Sequence, residues 1–249
     1  MSRAATLGSS TGAQVAMELR LTARRGENVL VTVIIPAVVL VFFASMNLVP
    51  GRAGDPLAFL VPGALALAVI ATSLVNLGIA TAYERNYGVL KRLGGSPLTR
   101  SGLMTAKFAT VLVVELLQVV LLGVIAVWLG WRIGPEASPA AFIAALLLGT
   151  LAFAGLGLLM AGALRAEATL ALANAAFIAC LLLGGIVVPV DHLPGPLAAV
   201  ASVLPAAALS DAFRIALGSS SDVTGQPFAI LAVWAAGAIA LTARTFRWE

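Results

Sequence analysis

Glu115 and Gln118 stand three residues apart inside a long apolar run, one helical turn from each other. A carboxylate in hydrocarbon is costly and is a functional candidate by default; its readings are a proton relay, a salt bridge to a basic residue on a neighbouring helix, or a structural element facing a polar cavity or a subunit interface. Thr72, Asn76 and Tyr83 fall near one face of a second apolar run, Asn174 lies in a third, and Thr32 and Pro36 lie in a fourth. Thr72, Asn76, Glu115, Gln118 and Asn174 are therefore the candidate lining of a translocation path, with local interhelical hydrogen bonding as the alternative. Groups for bond-breaking chemistry are scarce. His192 is the single histidine; it adjoins Asp191 without a positioned nucleophile. The sequence contains no H-E-x-x-H, no G-x-S-x-G and no G-x-x-x-x-G-K-[ST], so it carries no Walker-type nucleotide site of its own. The one cysteine, Cys180, sits in an apolar run and can form no intrachain disulfide, and no metal-ligand spacing is present.

The elements that must position these groups are membrane spans. Of the 249 residues 61% are hydrophobic and 10% charged, against about 45–50% and 25% for an ordinary soluble domain. Six stretches approach the ~20 apolar residues needed to cross a bilayer: about 29–48, 57–82, 102–129, 140–163, 168–189 and 227–243. The expected fold is all-α and integral to the membrane, one domain over 28–249 preceded by a cytoplasmic N-terminus, 1–27. That leader is polar, lacks the pattern of a cleavable signal peptide, and contains a helix over about 13–26 suited to lie at the headgroups. With the N-terminus inside, Arg3, Arg20, Arg24, Arg25, Arg85, Lys91, Arg92, Arg100, Lys107, Arg165, Arg244 and Arg247 are cytoplasmic, and Arg52, Arg132 and Arg214 are outside. This asymmetry places both termini in the cytoplasm. The net charge of +4 follows the same topology, and no aromatic-plus-basic stretch points to nucleic acid. Between spans five and six, residues 190–226 hold two short apolar runs broken by Pro194, Pro196 and Pro205, which reads as a pair of short outer helices that re-enter the bilayer. Small residues recur at helix-packing spacing in span five (Ala168, Ala171, Ala175, Ala179) and span six (Ala232, Ala236, Ala240).

The densest signal is the segment between spans two and three, Tyr83-Glu84-Arg85-Asn86-Tyr87-Gly88-Val89-Leu90-Lys91-Arg92-Leu93-Gly94-Gly95-Ser96-Pro97-Leu98. It reads as a short charged helix at the inner surface, ended by Gly94-Gly95. Leu90 and Leu93 would enter a groove of a partner while Glu84, Arg85, Lys91 and Arg92 pair at its rim; a solvated loop is the alternative. The segment resembles the intracellular loop of ABC-2 type permeases: Glu84, Arg85, Gly88, Leu90, Leu93, Ser96, Pro97 and Leu98 fit that pattern, Val89 stands where threonine is usual, and Lys91 where an acidic residue is frequent. The order of leading helix, six spans and proline-bounded outer stretch is similar to the same family throughout the chain, and nearest to its daunorubicin-resistance-type drug exporters.

The resemblance implies a permease subunit of an ABC exporter in a bacterial inner membrane, moving an amphipathic substrate: drug, lipid or lipid-linked glycan. Its partners would be a separate ABC-type ATPase, which binds the ATP and Mg, a second permease chain (the same chain or a paralogue) and membrane lipids. Glu84, Arg85, Gly88, Leu90, Lys91 and Leu93 would form the coupling helix on the ATPase within a loop of about 83–100. Two other readings stand beside it: a proton-driven secondary transporter with Glu115 as carrier, and a membrane-embedded enzyme or assembly factor without transport.

Overall fold

A computed structural model describes residues 12, 14–20, 26–46, 55–94, 100–220 and 224–245, with the side chains of 26–31, 93, 94, 100, 101 and 245 left aside. Among the described residues every regular element is a helix and there is no strand. A short helix α1 (14–20) precedes α2 (Gly26–Met46), a 21-residue helix whose described apolar part is Thr32–Met46. Five further helical stretches are long and apolar enough to cross a bilayer: Pro56–Asn86, Gly102–Trp128, Pro139–Ala163, Ala166–Leu183 and Gln226–Arg244. They contain α3 (Pro56–Ile70), a π-helical segment (Ala71–Asn76), α4 (Leu77–Asn86), α6 (Arg100–Trp128), α7 (Pro139–Ala163), α8 (Ala166–Leu183) and α11 (Gln226–Thr245). Between α4 and α6 lies α5 (Val89–Gly94). Between α8 and α11, α9 (Gly195–Ala201) and α10 (Pro205–Ala216) meet at 72°. By length and composition this bent pair is either one broken span or a re-entrant element; it falls where the two short outer helices are expected, and α2 falls at the first expected span.

Local chemistry sets the helix starts. Asp55 accepts a hydrogen bond from Leu57 N (2.9 Å) with Pro56 at the first position, and Ser138 accepts from Ala141 N (3.3 Å) with Pro139 following. In both cases a side chain takes an orphan N–H and the proline supplies a ready-made φ.

The α3–π–α4 span is the most deeply covered, with every residue from Phe59 to Leu74 buried. In hydrocarbon the hydrophobic effect does not drive helices together, and close backbone approach at small residues supplies much of the packing instead. A methyl group on Gly157 of α7 would lie 2.8 Å from Leu74 O and 3.0 Å from Ser73 O, and one on Gly63 would lie 2.6 Å from Ile186 O. On α11 the packing face is Leu231, Ala235, Ala238 and Thr242, with Ala238 against Gly155 of α7 and Thr242 Oγ1 donating to Gly155 O at 2.9 Å. Ala232, Ala236 and Ala240 face outward instead, as do Ala168, Ala171, Ala175 and Ala179 of α8. The small-residue spacing singled out in the sequence therefore does not mark the contacts inside the chain.

Helix α10 is buried almost throughout and packs on α3, α7 and α11. Arg214 is not a free surface charge. Its guanidinium lies 4.0 Å from the centroid of the Phe59 ring, Nη1 is 2.7 Å from Asp211 Oδ1, and Nη2 donates to Gly185 O. One side chain thus ties α10 to the start of α3 and to the exit of α8.

Candidate functional site: the polar seam behind the 84–94 segment

The α4–α5 corner is built by a glycine. Tyr87 N donates to Tyr83 O and Gly88 N to Arg85 O, closing α4, and Gly88 takes φ +69° before α5 begins. That conformation costs an L-residue about 1–2 kcal/mol and costs glycine little. The short helix α5 then folds back against α4.

This corner divides the candidate coupling residues into two sets. Glu84, Arg85 and Leu90 face into the chain. Glu84 is 8% exposed and its Oε2 lies 2.6 Å from Lys107 Nζ of α6; Lys107, only 2% exposed, also reaches Glu18 Oε1 of α1 at 3.3 Å. One ammonium thus joins the leading helix, the end of span two and the start of span three. Arg85 sends Nη1 to Gly162 O and Nη2 to Leu164 O at the C-terminal end of α7. Those carbonyls are among the last of their helix and lack intrahelical donors, and a guanidinium fork satisfies two of them while opposing the negative end of the helix dipole. Leu90 is fully buried. The expectation that it enters a partner's groove does not match its position: α5 turns it toward the chain's own interior. The outward set is Tyr87 (69% exposed), Val89, Lys91 and Arg92, with Gly88 at the turn. The side chain of Leu93, and all of Gly95, Ser96, Pro97 and Leu98, lie outside the described residues.

The candidate path residues divide as well. Thr72, beside the π-helical segment's start, donates to Gln118 Oε1 at 2.9 Å, and Gln118 Nε2 donates to Thr32 O of α2 at 3.1 Å. This buried relay joins three spans. Glu115 is 1% exposed, and its Oε2 lies 2.5 Å from Thr150 Oγ1 of α7, while its Oε1 has no hydrogen-bond partner among the described residues. These three polar groups are enclosed by the chain's own helices. Asn174 is exposed on α8, its amide donating to Leu170 O at 2.8 Å, and Asn76 is half-buried at the end of the π segment. His192 Nδ1 and Asp191 Oδ1 lie 3.4 Å apart at an exposed position.

Two participants escape a reading from sequence. Glu18 lies in the leader and Thr150 in a span with no other marked polar group. A weak signal existed for each: a lone carboxylate on a helix preceding a basic cluster, and a threonine at the depth where span three carries its carboxylate.

The seam's charged contacts cross-link α1, α4, α6 and α7 behind an exposed, basic and aromatic corner. No curated protein matches the chain closely enough to count as a relative. The family model that matches is that of the ABC-2 type transporter, and it covers residues 11–217 of the 249, from the leading helix through the bent pair. The chain, a multi-pass membrane protein, belongs to the ABC-2 type transporter family, whose members serve as transport membrane subunits.

Proposed function

We propose that the chain is the membrane-spanning permease of an ATP-driven exporter, with ATP and Mg held by a separate ABC-type ATPase that docks on the corner at residues 84–94. The observation that carries this reading is the division of that corner. Its inner side is anchored to two other helices, α6 through Glu84–Lys107 and α7 through Arg85, and its outer side offers Tyr87, Val89, Lys91 and Arg92 to a partner. A push on the outer side is transmitted by buried, hydrogen-bonded charges that resist bending, so it moves spans two, three and four together. The location is a bacterial inner membrane with both termini cytoplasmic, in keeping with the basic residues gathered at this end.

The substrate is amphipathic, such as a drug, a lipid or a lipid-linked glycan, and passes between two permease chains. The outward amides support this: Asn174 sits exposed on α8 among small residues, whereas Thr72, Glu115 and Gln118 are occupied within the chain. The test is a mild-detergent purification of the tagged chain from its native membrane. Co-purification of an ABC-type ATPase in equal amount supports the reading, and the number of permease chains in that complex distinguishes a homodimer from a pair of paralogues. Purification without any ATPase, in a detergent that keeps a known ABC complex intact, would sink it.

A second reading is favoured by one observation. The unpartnered Oε1 of Glu115 is a proton-accepting position deep in the chain, as a proton-coupled carrier would need. Transport that persists when the ATPase is catalytically dead, and that stops in Glu115→Gln, would select it.

A further inference from the structure

Helices α6 and α11 both pack on α7. Between them, over α7, lies a cleft of about 480 Å³ walled by Phe108, Leu151, Ala154, Leu158 and Ile239, with Thr105 and Ala243 at its rim. That volume lies within the range that binds small organic ligands, roughly 300–1,000 Å³. The cleft opens sideways, since Thr105, Ile239 and Ala243 are exposed, and the helices that form it are membrane spans. From Leu151 to Leu158 its floor runs about 10 Å along α7.

Three features specify the occupant. The wall offers hydrocarbon: the hydroxyl of Thr242 is already donated to Gly155 O, so it has no donor left for a ligand. The cleft lies at one end of the bundle, where α6 begins and α7 and α11 finish, so a ligand there has one end at a headgroup layer. At that end, next to the rim residue Ala243, stands the exposed Arg244 in the last turn of α11. A greasy slot with an exposed arginine one residue beyond its rim matches a chain carrying an anionic head.

We propose that this cleft is a binding site for one acyl chain of a phospholipid, whose phosphate is met by Arg244. None of the cleft's lining residues belongs to the Thr72–Gln118 relay, and the site does not depend on which solute the chain moves. It gives α11, whose main packing partners are α7 and α10, a third supporting surface.

The experiment uses the full chain with its natural partners in its own membrane. A p-benzoyl-phenylalanine is placed at Ile239, in the cleft, or at Val233, on the same helix and 73% exposed. After irradiation, phospholipid attached to the chain is quantified by mass spectrometry. Labelling at 239 is expected to exceed labelling at 233 by fivefold or more, to fall several-fold when Ala243→Phe or Thr105→Phe fills the rim, and to fall with Arg244→Glu. Two filling variants on opposite walls keep the test sound if one fails to assemble. Equal labelling at 239 and 233 would mean ordinary annular lipid and would overturn the proposal. So would predominant protein–protein adducts at 239, which would mean a second copy or another chain fills the cleft, or labelling that ignores both filling variants.

Discussion

Lys107 Nζ lies 2.6 Å from Glu84 Oε2 with both side chains nearly removed from solvent, and a second carboxylate, Glu18, lies 3.3 Å from the same nitrogen. The lysine is therefore shared unequally, with Glu84 as its principal partner. Removing one member of a buried ion pair costs about 3–5 kcal/mol, because the remaining charge is left uncompensated. Lys107→Met strands two carboxylates and is expected to lower stability by about 3 kcal/mol or more on that scale. Glu18→Gln leaves the Glu84 contact in place and should cost much less. The triple change Lys107→Met, Glu84→Gln, Glu18→Gln, which leaves no charge stranded, should recover part of the loss. Thermal unfolding of the purified chain in detergent, followed as a mutant cycle, checks the ranking.

Arg85 depends on shape as well as charge. Its two nitrogens reach two different carbonyls, Gly162 O and Leu164 O, and a lysine ammonium on a flexible stem cannot fork in that way. Arg85→Lys is expected to assemble normally yet lose more than half of transport per ATP hydrolysed. Arg85→Ala, which also orphans the carbonyls, should cost at least about 1.5 kcal/mol, the lower end for a hydrogen bond to a charged group. Export and ATP hydrolysis measured on the same proteoliposomes separate the two effects; equal export per ATP in Arg85→Lys and the parent would remove Arg85 from the linkage.

The sequence located the spans well, because apolar length is a property of each segment alone. The all-α fold and the proline-broken helix pair at Pro194, Pro196 and Pro205 were legible for the same reason. Orientation within a span was less legible, because it depends on which neighbour arrives. The stripe Ala232–Ala236–Ala240 looks like a packing face, but the face that meets Gly155 is Leu231–Ala235–Ala238–Thr242, little more than a quarter-turn away. Likewise the pair Glu84–Arg85 was recognisable as a motif, but that both side chains turn inward follows from Lys107 and from the end of α7, which sequence spacing cannot place beside them.

Gly157 and Gly88 separate two reasons for a glycine. At Gly157 a methyl group would lie within 3.0 Å of two carbonyl oxygens of the π segment, and a backbone cannot swing aside as a side chain does. At Gly88 the surroundings are open and only the φ of +69° resists. Gly157→Ala is expected to cost about 2–3 kcal/mol, as overpacking does. Gly88→Ala should cost about 1 kcal/mol, through backbone conformation alone. Denaturation midpoints of the two variants in one detergent provide the comparison; a larger loss at Gly88 would contradict the close α7–π contact.

Thr150 has one hydroxyl proton and two acceptors near it, Glu115 Oε2 at 2.5 Å and Leu146 O at 2.7 Å. A glutamine at position 115 fits this arrangement: its amide donates to Thr150 Oγ1, and the hydroxyl proton is free to go to Leu146 O. Glu115→Gln should therefore fold like the parent, within about 0.5 kcal/mol, while Glu115→Ala opens a buried gap beside Thr150 and should lose about 2 kcal/mol or more. An ATP-driven permease in which Glu115 is a structural contact keeps transport in Glu115→Gln. A folded Glu115→Gln chain that no longer transports would turn the reading toward proton coupling. Solute flux into proteoliposomes, with and without an imposed proton gradient, distinguishes the two.

Leu90 and its neighbours on α5 give the sharpest separation of folding from docking. Leu90 is fully buried, so Leu90→Asp places a carboxylate in the chain's own interior, and loss of assembled protein is expected before any loss of coupling. Lys91 and Arg92 are exposed, and neither takes part in the Glu84–Lys107–Glu18 contacts. Reversing both, Lys91→Glu with Arg92→Glu, leaves the inner anchors untouched and should leave the yield and unfolding temperature of the isolated chain unchanged. If the ATPase docks on this face, the double reversal meets like charge where it met opposite charge, and retention of the ATPase on the tagged chain should fall tenfold or more. Part of that loss should return when the ATPase carries compensating basic substitutions. The deciding measurement is the ratio of ATPase to permease after purification, read beside the unfolding temperature. Unchanged retention in a stable double variant would move the docking surface off α5, while loss of both together would mean that the outward residues also hold the corner in place.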